Sequence, residues 1–333
     1  MSRSVIIALG VIVILGLIGL GVYVSTGDAK EPQPNADQDS TNPPPSSSNV
    51  IEVRDALGDV YRFEEPPARI AALSAFSLEI LMEMGVTPVA RFEDPFLYPA
   101  EASGIPTVGR SHETGPDIEQ LLAADPDAIL LHWVYRNKAE EVSEQVGCPV
   151  LVLNISDIDA IRGTFELLAG LIGDPQKAEP MVEDLERTRA WLAAHQPAEG
   201  RPVALSLLGQ EDTWYAHRDN HFMGSVLKEA GAVNAAGQDE PHGRFRSLSP
   251  IDLEMVIAKD PEVIFIMPYG DADQRVVIDN FNNHPATGSL RAVRNNRVHV
   301  LPYTMASQPG PRSGKSLRSM YKLIYPEQPG PDW

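Results

Sequence analysis

Several features that define common protein classes are missing from this sequence. It has one cysteine, Cys148, among 333 residues, so neither a disulfide framework nor a thiolate-ligated zinc or iron–sulfur site can be built within the chain. Cys148 stands at the start of an apolar run, which indicates a small buried residue. The formal net charge of −19 disfavours nucleic acid as a partner, because phosphate binding requires clustered lysines and arginines.

The motifs of several enzyme classes are missing as well. The chain has no G-x-S-x-G, and no serine or cysteine stands in a recognisable nucleophile context. It also lacks G-x-x-x-x-G-K-[ST] and G-x-G-x-x-G, so nothing supports nucleotide binding. We therefore predict a protein that is not an enzyme and that has no cofactor and no catalytic residues.

Residues 1–24 predict a membrane anchor or a signal. Residues 5–24 carry no charge, and at 1.5 Å per residue they span roughly the 30 Å hydrocarbon core of a bilayer. Arg3 is the only charge before them, which places the N-terminus in the cytoplasm and the rest of the chain outside. The segment is longer than most signals and lacks a good cleavage site, so we favour an uncleaved anchor over a cleaved signal. Residues 25–49, rich in Pro and Ser, predict a disordered tether.

One sequence motif occurs twice, 135 residues apart, at residues 117–129 and 252–264. Each copy begins with an aspartate, Asp117 or Asp252, that is placed to cap a helix. A glutamate follows in the first turn, where the helix dipole stabilises a negative charge. A proline then ends the helix, and an apolar run follows as a buried strand. Two copies are too few and too widely spaced for stacked repeats. The duplication instead predicts two similar lobes with a cleft.

Short apolar runs alternate with helical patterns from residue 50 onward. Such runs are typical of parallel strands that are covered on both faces. We predict an α/β fold with mainly parallel sheets, made of an N-terminal lobe (50–173), a connecting helix (174–197) and a C-terminal lobe that ends in a helix (198–333).

The loops beyond the predicted strands are rich in aromatic residues, histidine and arginine. Ligands of parallel α/β sheets bind beyond the carboxyl ends of the strands. Aromatic faces provide contact area and guanidinium groups bind carboxylates, so this mixture suits a large, flat or anionic ligand. The candidate ligand-binding residues are Phe76, Phe92, Tyr98, Arg110, His112, Trp133, Tyr135, Trp214, His242, Arg244, Arg246, Tyr269 and Tyr303.

Two pairs of histidines have positions that metal binding would allow. His217 and His221 are four residues apart, but residues 219–220 predict a turn between them, and no glutamate follows His217 as the zinc-protease pattern requires. His112 and His242 each precede one copy of the repeated helix and could face one another across a cleft. We expect neither pair to bind a metal directly.

The order and spacing of several segments resemble the periplasmic-binding proteins that deliver iron complexes and cobalamin to ABC importers. The resemblance covers about residues 50–326. It rests on residues 67–73, 77–89, 108–109, the repeated helix–strand unit, 290–301 and 310–312. It implies two α/β lobes joined by a single long rigid helix, a ligand cleft between the lobes and a small closing motion.

The same resemblance implies an acidic residue on the outer tip of each lobe that docks onto arginines of the permease. Glu79 falls on the first of these positions. At the second, Lys228 stands with Glu229 beside it, so we take Glu229 as the docking candidate. The lipid-attachment cysteine of the family is missing here, and a membrane anchor would serve the same tethering purpose.

The sequence therefore predicts a membrane-tethered, extracytoplasmic monomer that carries a ligand to an ABC permease and its ATPase. The predicted ligand is an iron complex (siderophore, ferric citrate or haem) or a corrinoid. The arginines at 110, 244 and 246 favour an anionic complex. Haem would need an axial ligand, for which the candidates are Tyr98, Tyr135, His132 and Tyr303.

Two other functions fit the same architecture, since fold does not fix function. A membrane-tethered ligand sensor would need the same cleft and tether. A chelatase-like enzyme is disfavoured, because the loops contain no thiolate set and no evident acid–base pair.

Overall fold

The computed structural model describes residues 50–94, 99–110, 115–197, 199–210, 213–243, 246–269, 272–307, 309–331 and 333. The predicted membrane segment and tether, residues 1–49, lie outside these ranges. Within them, every helix is too short or too polar to cross a bilayer.

The first lobe is built on a six-stranded sheet that follows an antiparallel hairpin of two short strands. Its elements are β1 (Ile51–Arg54), β2 (Val60–Phe63), β3 (Ile70–Leu73), α1 (Ala75–Glu83), β4 (Ala90–Glu93), β5 (Thr107–Arg110), β6 (Gly115–Pro116), α2 (Ile118–Ala124), β7 (Ala128–His132), α3 (Ala139–Val146), β8 (Val150–Leu153) and α4 (Ile158–Leu171). The strand order is β6-β5-β4-β3-β7-β8. All neighbours are parallel except β5 and β6, so this sheet is mainly parallel, as the apolar runs predicted.

A long helix separates the first sheet from the second, which belongs to the second lobe. The remaining elements are α5 (Glu179–His195), β9 (Val203–Gln210), β10 (Thr213–His217), α6 (Phe222–Glu229), β11 (Val233–Asn234), β12 (Leu248–Ile251), α7 (Leu253–Lys259), β13 (Val263–Met267), α8 (Gln274–Asn283), α9 (Arg291–Arg294), β14 (Val298–Val300), α10 (Tyr303–Ser307) and α11 (Ser313–Ile324). The order is β12-β10-β9-β13-β14, with β11 beside β9. Because β10 runs antiparallel to both β9 and β12, this sheet is mixed, which corrects the prediction of mainly parallel strands.

The repeated motif folds in the same way in both lobes. Asp117 accepts a hydrogen bond from the N–H of Gln120 at the start of α2, and Asp252 does the same for Met255 at the start of α7. Each helix ends at an aspartate in the left-handed region, with φ of 49° at residue 125 and 37° at residue 260. The strands that follow, β7 and β13, are buried. Each repeat thus delivers a buried strand to its sheet.

One hydrophobic cluster extends through both lobes. It includes Phe165 of the first lobe, Leu185 of α5, and Phe265 and Tyr321 of the second lobe. Two smaller clusters cover the other face of each sheet. The two sheets therefore share a continuous apolar core, to which α5 contributes.

Candidate ligand-binding site

Three tyrosines and a histidine lie close together at the carboxyl end of the second sheet. The ring centroids of Tyr269 and Tyr303 are 5.9 Å apart, and Tyr215 meets His242 edge to face at 5.4 Å. Burial, and then Tyr215, raise the pKa of Tyr269, and both Tyr215 and Met267 lie opposite Leu208 of β9, so the two pairs share one edge of the sheet. We call Tyr215, His242, Tyr269 and Tyr303 the aromatic wall. It offers a ligand flat surfaces together with phenol and imidazole hydrogen-bonding groups.

The sheet topology explains why these four residues meet. β13 and β14 are parallel, so the segments that follow them bring Tyr269 and Tyr303 to the same edge of the sheet. β10 starts at that edge and runs back along β9, which places Tyr215 there as well. The N–H of His242 donates to the carbonyl of Leu248 at 2.7 Å, which holds this residue beside β12.

A 3₁₀ helix, Trp133–Lys138, forms the corresponding surface of the first lobe. It begins where β7 ends, and the Nδ1 of His132 accepts a hydrogen bond from the N–H of Val134 at 3.0 Å. Trp133 and Tyr135 are both partly exposed. Two of the residues assigned to the ligand from the sequence are thus accessible at the carboxyl end of the first sheet.

Phe76 and Phe92 were predicted to contact the ligand, and the structure corrects this prediction. Each side chain is only 1% exposed. Phe76 packs edge-on against His132 at 5.7 Å, and Phe92 packs against Tyr135 at 5.5 Å. Both phenylalanines therefore support residues of the site from inside the core.

Trp214 was also predicted to contact the ligand, and it is 8% exposed. Its ring packs edge-on against Phe281 of α8 at 6.1 Å and borders a cavity of about 340 Å³ beneath that helix. Successive residues of a strand point to opposite faces. Tyr215 therefore reaches the aromatic wall while Trp214 does not.

Two arginines of the first lobe lie at the carboxyl end of its sheet. The guanidinium of Arg136 lies 5.0 Å from the ring centroid of Trp133, a cation–π geometry. Arg110, at the end of β5, pairs with Glu93 at 3.0 Å, and both side chains are more than half exposed. Such an exposed pair contributes little stability and exchanges readily with another anion. Arg246 is exposed at the start of the segment that leads into β12.

Three of the predicted site residues, Tyr98, His112 and Arg244, lie outside the described residues. Their contribution to the site, and the pairing of His112 with His242, remain predictions.

The pair His217 and His221 has a structural role. Nδ1 of the fully buried His217 lies 2.8 Å from the hydroxyl of Ser206, and residues 219–220 form the predicted turn. The Nδ1 of His221 accepts the N–H of Met223, so its proton is on Nε2 and no lone pair is left for a metal. In the described part of the chain, no group of three or more His, Cys, Asp or Glu side chains could hold a metal ion.

Glu79, the first predicted docking residue, is covered by an arginine. Its side chain is 11% exposed, and its carboxylate lies 3.1 Å from the guanidinium of Arg312, which is 67% exposed. Burial raises the pKa of Glu79, whereas Arg312 lowers it and Glu83 raises it further. The surface at this point therefore presents a guanidinium group above a carboxylate.

Glu229, the second predicted docking residue, is also bound by an arginine. Arg189 of α5 donates to both of its carboxylate oxygens, at 3.0 and 3.3 Å, and to Asp159 of α4 at 2.8 Å. The neighbouring Lys228 is exposed and lies 3.6 Å from Asp219. Glu229 thus links α6 to the two helices beside it.

Comparison with known proteins places this geometry in a family. The family described as periplasmic binding protein matches residues 70–304, so the chain belongs to that family, and the resemblance seen in the sequence is confirmed. A putative ABC transporter substrate-binding lipoprotein of Bacillus subtilis is 23% identical over 276 residues, which cover 76% of this chain and 81% of the relative. An achromobactin-binding periplasmic protein of Dickeya dadantii is 25% identical over 249 residues, covering 71% and 78%.

A solved structure shows the same fold. It is described as an ABC-type Fe3+-hydroxamate transport system from Saccharomonospora viridis, and it superposes with a TM-score of 0.64 at 24% identity. The superposition covers 82% of this chain and 98% of the other. The α/β fold predicted from the sequence is therefore that of a periplasmic binding protein.

Proposed function

We propose that this protein is the extracytoplasmic substrate-binding component of an ABC importer and that it binds an iron complex in a cleft between its two lobes. Family membership supports the class of function. One observation supports the position of the ligand: both sheets carry accessible aromatic residues at their carboxyl ends. The aromatic wall stands on the second lobe, and Trp133 with Tyr135 on the first. Ligands of open α/β sheets bind at this edge.

An anionic ferric complex, such as a ferric siderophore or ferric citrate, fits the side chains best. Arg110, Arg136 and Arg246 bring positive charge to a protein whose formal net charge is −19. Guanidinium groups bind carboxylates in a paired geometry and also stack on flat rings. A relative named for achromobactin binding and a neighbour described by Fe3+-hydroxamate transport support this choice.

Haem and a corrinoid fit the same residues less well. Haem would require an axial ligand, and His132 is unsuited because its Nδ1 accepts a backbone N–H, which leaves the ring proton on Nε2. Among the described candidates, Tyr135 and Tyr303 remain. A corrinoid would use the aromatic wall but would leave the arginines without a partner.

The two lobes are held so that the cleft would close by a small motion. In this proposal the chain divides into lobes of residues 50–173 and 198–333 with a connecting helix at 174–197. α11 packs along α5, and Arg318 of α11 donates to Asp184 and Thr188 of α5. A packed core resists continuous deformation, so the hydrophobic cluster shared by the lobes favours a rigid connection.

Delivery of the ligand would use the two arginine-bound acids. In this proposal the protein is a monomer tethered through residues 5–24. Glu79 and Glu229 would exchange their internal arginines, Arg312 and Arg189, for arginines of the permease that works with the ATPase. The side chain of Arg312 is 67% exposed and that of Arg189 only 25%, so the first exchange is the easier one.

Binding can be tested by titrating the protein with hydroxamate and catecholate ferric siderophores, ferric citrate, haemin and cobalamin while tryptophan fluorescence is followed. Quenching should be corrected for ligand absorbance with free N-acetyltryptophanamide. We expect saturable quenching by one ferric complex at micromolar or tighter affinity. Tyr269→Ala should weaken that affinity about tenfold, as expected when an interface aromatic residue is removed.

Two tryptophan variants serve as matched controls. Trp133→Phe should remove most of the quenching, because Trp133 lies at the proposed cleft. Trp333→Phe should leave it, because Trp333 lies against Arg187 of α5. The absence of saturable quenching by all of the compounds, with the protein folded by circular dichroism, would refute the proposed function.

A further inference from the structure

Three histidines from the two lobes lie close together at the junction of the lobes. His132 ends β7 of the first lobe, and His217 and His221 lie at the end of β10 and the start of α6 in the second. The rings of His217 and His221 are 4.3 Å apart and tilted by 40°. His132 pairs with Leu153 at the end of β8, the strand that leads into α4, and its charge lowers the pKa of His221 in addition to the larger effect of burial. We call these three residues the histidine cluster.

The start of α6 also contacts the first lobe directly. The hydroxyl of Ser225 accepts a hydrogen bond at 3.4 Å from the N–H of Ile158, the first residue of α4. Phe222 of α6 and Ile158 belong to the hydrophobic cluster that the lobes share. His221 caps this end of α6, so the cap and the contact between the lobes depend on the same short segment.

The contacts of the histidine cluster favour neutral imidazoles. His132 and His221 each accept a backbone N–H through Nδ1, and protonation would turn that acceptor into a second donor. The positive end of α6 opposes a cation at its cap. His217 is fully buried, and its Nε2 has no hydrogen-bond partner within the described residues. A proton taken up here would break a hydrogen bond or bury an unpaired charge.

We propose that the histidine cluster is an acid-sensitive contact which loosens the junction of the two lobes as the pH falls. In neutral solution it holds the start of α6 against α4. In acid, the opened state is favoured because an opened His221 takes up a proton more readily than the capped one.

Charged side chains on the elements around α6 are bound to partners of their own. These pairs are Arg189 with Glu229, Asp157 with the N–H of Ala160, Asp219 with Asn234 and Gln238, Arg218 with the carbonyl of Arg246, and Arg318 with Asp184. The pH response therefore rests on the imidazoles rather than on these carboxylates and guanidinium groups.

The direction of the pH effect follows from the two states of His221. Burial, and then the charge of His132, lower its pKa to about 4, against about 6.5 for an exposed histidine. The capped state is fully favoured above pH about 6.5, and this advantage is lost progressively as the pH falls towards about 4. Between pH 7.5 and pH 5 the opening equilibrium should rise roughly 30-fold.

Amide hydrogen exchange of the full-length protein, corrected for the intrinsic effect of pH, tests this proposal without any ligand. We expect the opening equilibrium constant at the N–H of Met223 to be roughly 30-fold larger at pH 5 than at pH 7.5. The hydrogen bond of the N–H of Ile158 in the first lobe should open with it. His221→Asn keeps a capping acceptor that does not titrate, so its exchange should be independent of pH over this range.

His195→Asn is the matched control, because it removes a histidine of α5 that lies outside the cluster, and it should keep the wild-type response. A response of His221→Asn equal to that of the wild type would overturn the proposal, as would opening at Met223 without opening at Ile158. If the variant fails to fold, NMR titration of the wild-type imidazole decides: a pKa of His221 near 6.5 overturns the proposal, and one near 4 supports it. Failure here leaves the proposed function standing, because no ligand takes part.

Discussion

At the scale of single residues, arginines determine which acidic groups the protein presents to a partner. Arg312 lies over the carboxylate of Glu79, and Arg189 binds both oxygens of Glu229. The two acids that the family resemblance predicts to dock onto the permease are therefore each paired with an arginine of the same chain. Binding of a permease would have to replace these arginines. The protonation of Glu79 reports whether its ion pair with Arg312 is formed.

Arg312→Ala should raise the pKa of Glu79. The guanidinium lowers this pKa, while burial and Glu83 raise it, so only the raising effects remain in the variant. Titration of the Glu79 carboxyl carbon by NMR measures the change. Lys315→Ala removes an exposed cation one turn further along α11 and should leave the pKa as it is. An unchanged pKa in Arg312→Ala would mean that the ion pair does not form in solution.

The candidate site residues form two groups: some lie at the edge of a sheet and others are buried. The type of a side chain alone does not distinguish the two. Tyr269, Tyr303, Trp133 and Tyr135 were named from the sequence because they follow apolar runs, and His242 because it precedes the repeated helix. The structure places all five at the carboxyl ends of the sheets. For Phe76, Phe92 and Trp214 the same rule was wrong. An aromatic residue after a strand either faces the edge or turns into the core, and the direction depends on strand alternation and on helices packed from elsewhere in the chain.

At the scale of elements, α5 holds the lobes together through polar contacts as well as packing. Arg189, partly buried, donates to Glu229 of α6 and to Asp159 of α4. Hydrogen bonds to Glu229 and the charges of Glu229, Asp159 and Glu186 raise the pKa of Arg189 against the effect of burial. The guanidinium of Arg189 thus connects α5 to α4 and to α6.

Arg189→Ala should lower the free energy of unfolding by about 1–3 kcal/mol, because Glu229 loses a paired, charge-assisted hydrogen bond in a partly buried place. Urea unfolding at neutral pH measures this change. Arg187→Ala, on the same helix, removes a more exposed guanidinium that lies 3.6 Å from Asp184 and should cost roughly 0.5 kcal/mol or less. Equal losses in the two variants would show that Arg189 does not link the helices.

Elements with strong local signals could be predicted from the sequence. The apolar runs at 70–73, 128–131 and 263–266 are strands, and the final stripe of apolar residues is α11. β10 and β12 escaped prediction because they lie at or near the edge of the second sheet and mix polar with apolar residues. Without β10, the antiparallel part of that sheet could not be foreseen.

At the scale of the whole molecule, both lobes contribute to one hydrophobic cluster, whereas their sheets end at two separate edges. The hydrophobic cluster common to both lobes and the contacts of α5 favour a fixed relative position. The accessible aromatic residues lie at the carboxyl ends of two separate sheets, and in the proposed function one ligand contacts both. The histidine cluster lies where α6 meets the first lobe, so we expect a fall in pH to act on this junction first.

The most direct test of binding between the lobes is hydrogen exchange with and without the tightest-binding compound of the fluorescence titration. We expect Trp133–Lys138 in the first lobe and residues 267–269 in the second to gain protection together, while α8 over the separate cavity is unchanged. Protection confined to one lobe, or found mainly at α8, would contradict a ligand held between the two lobes.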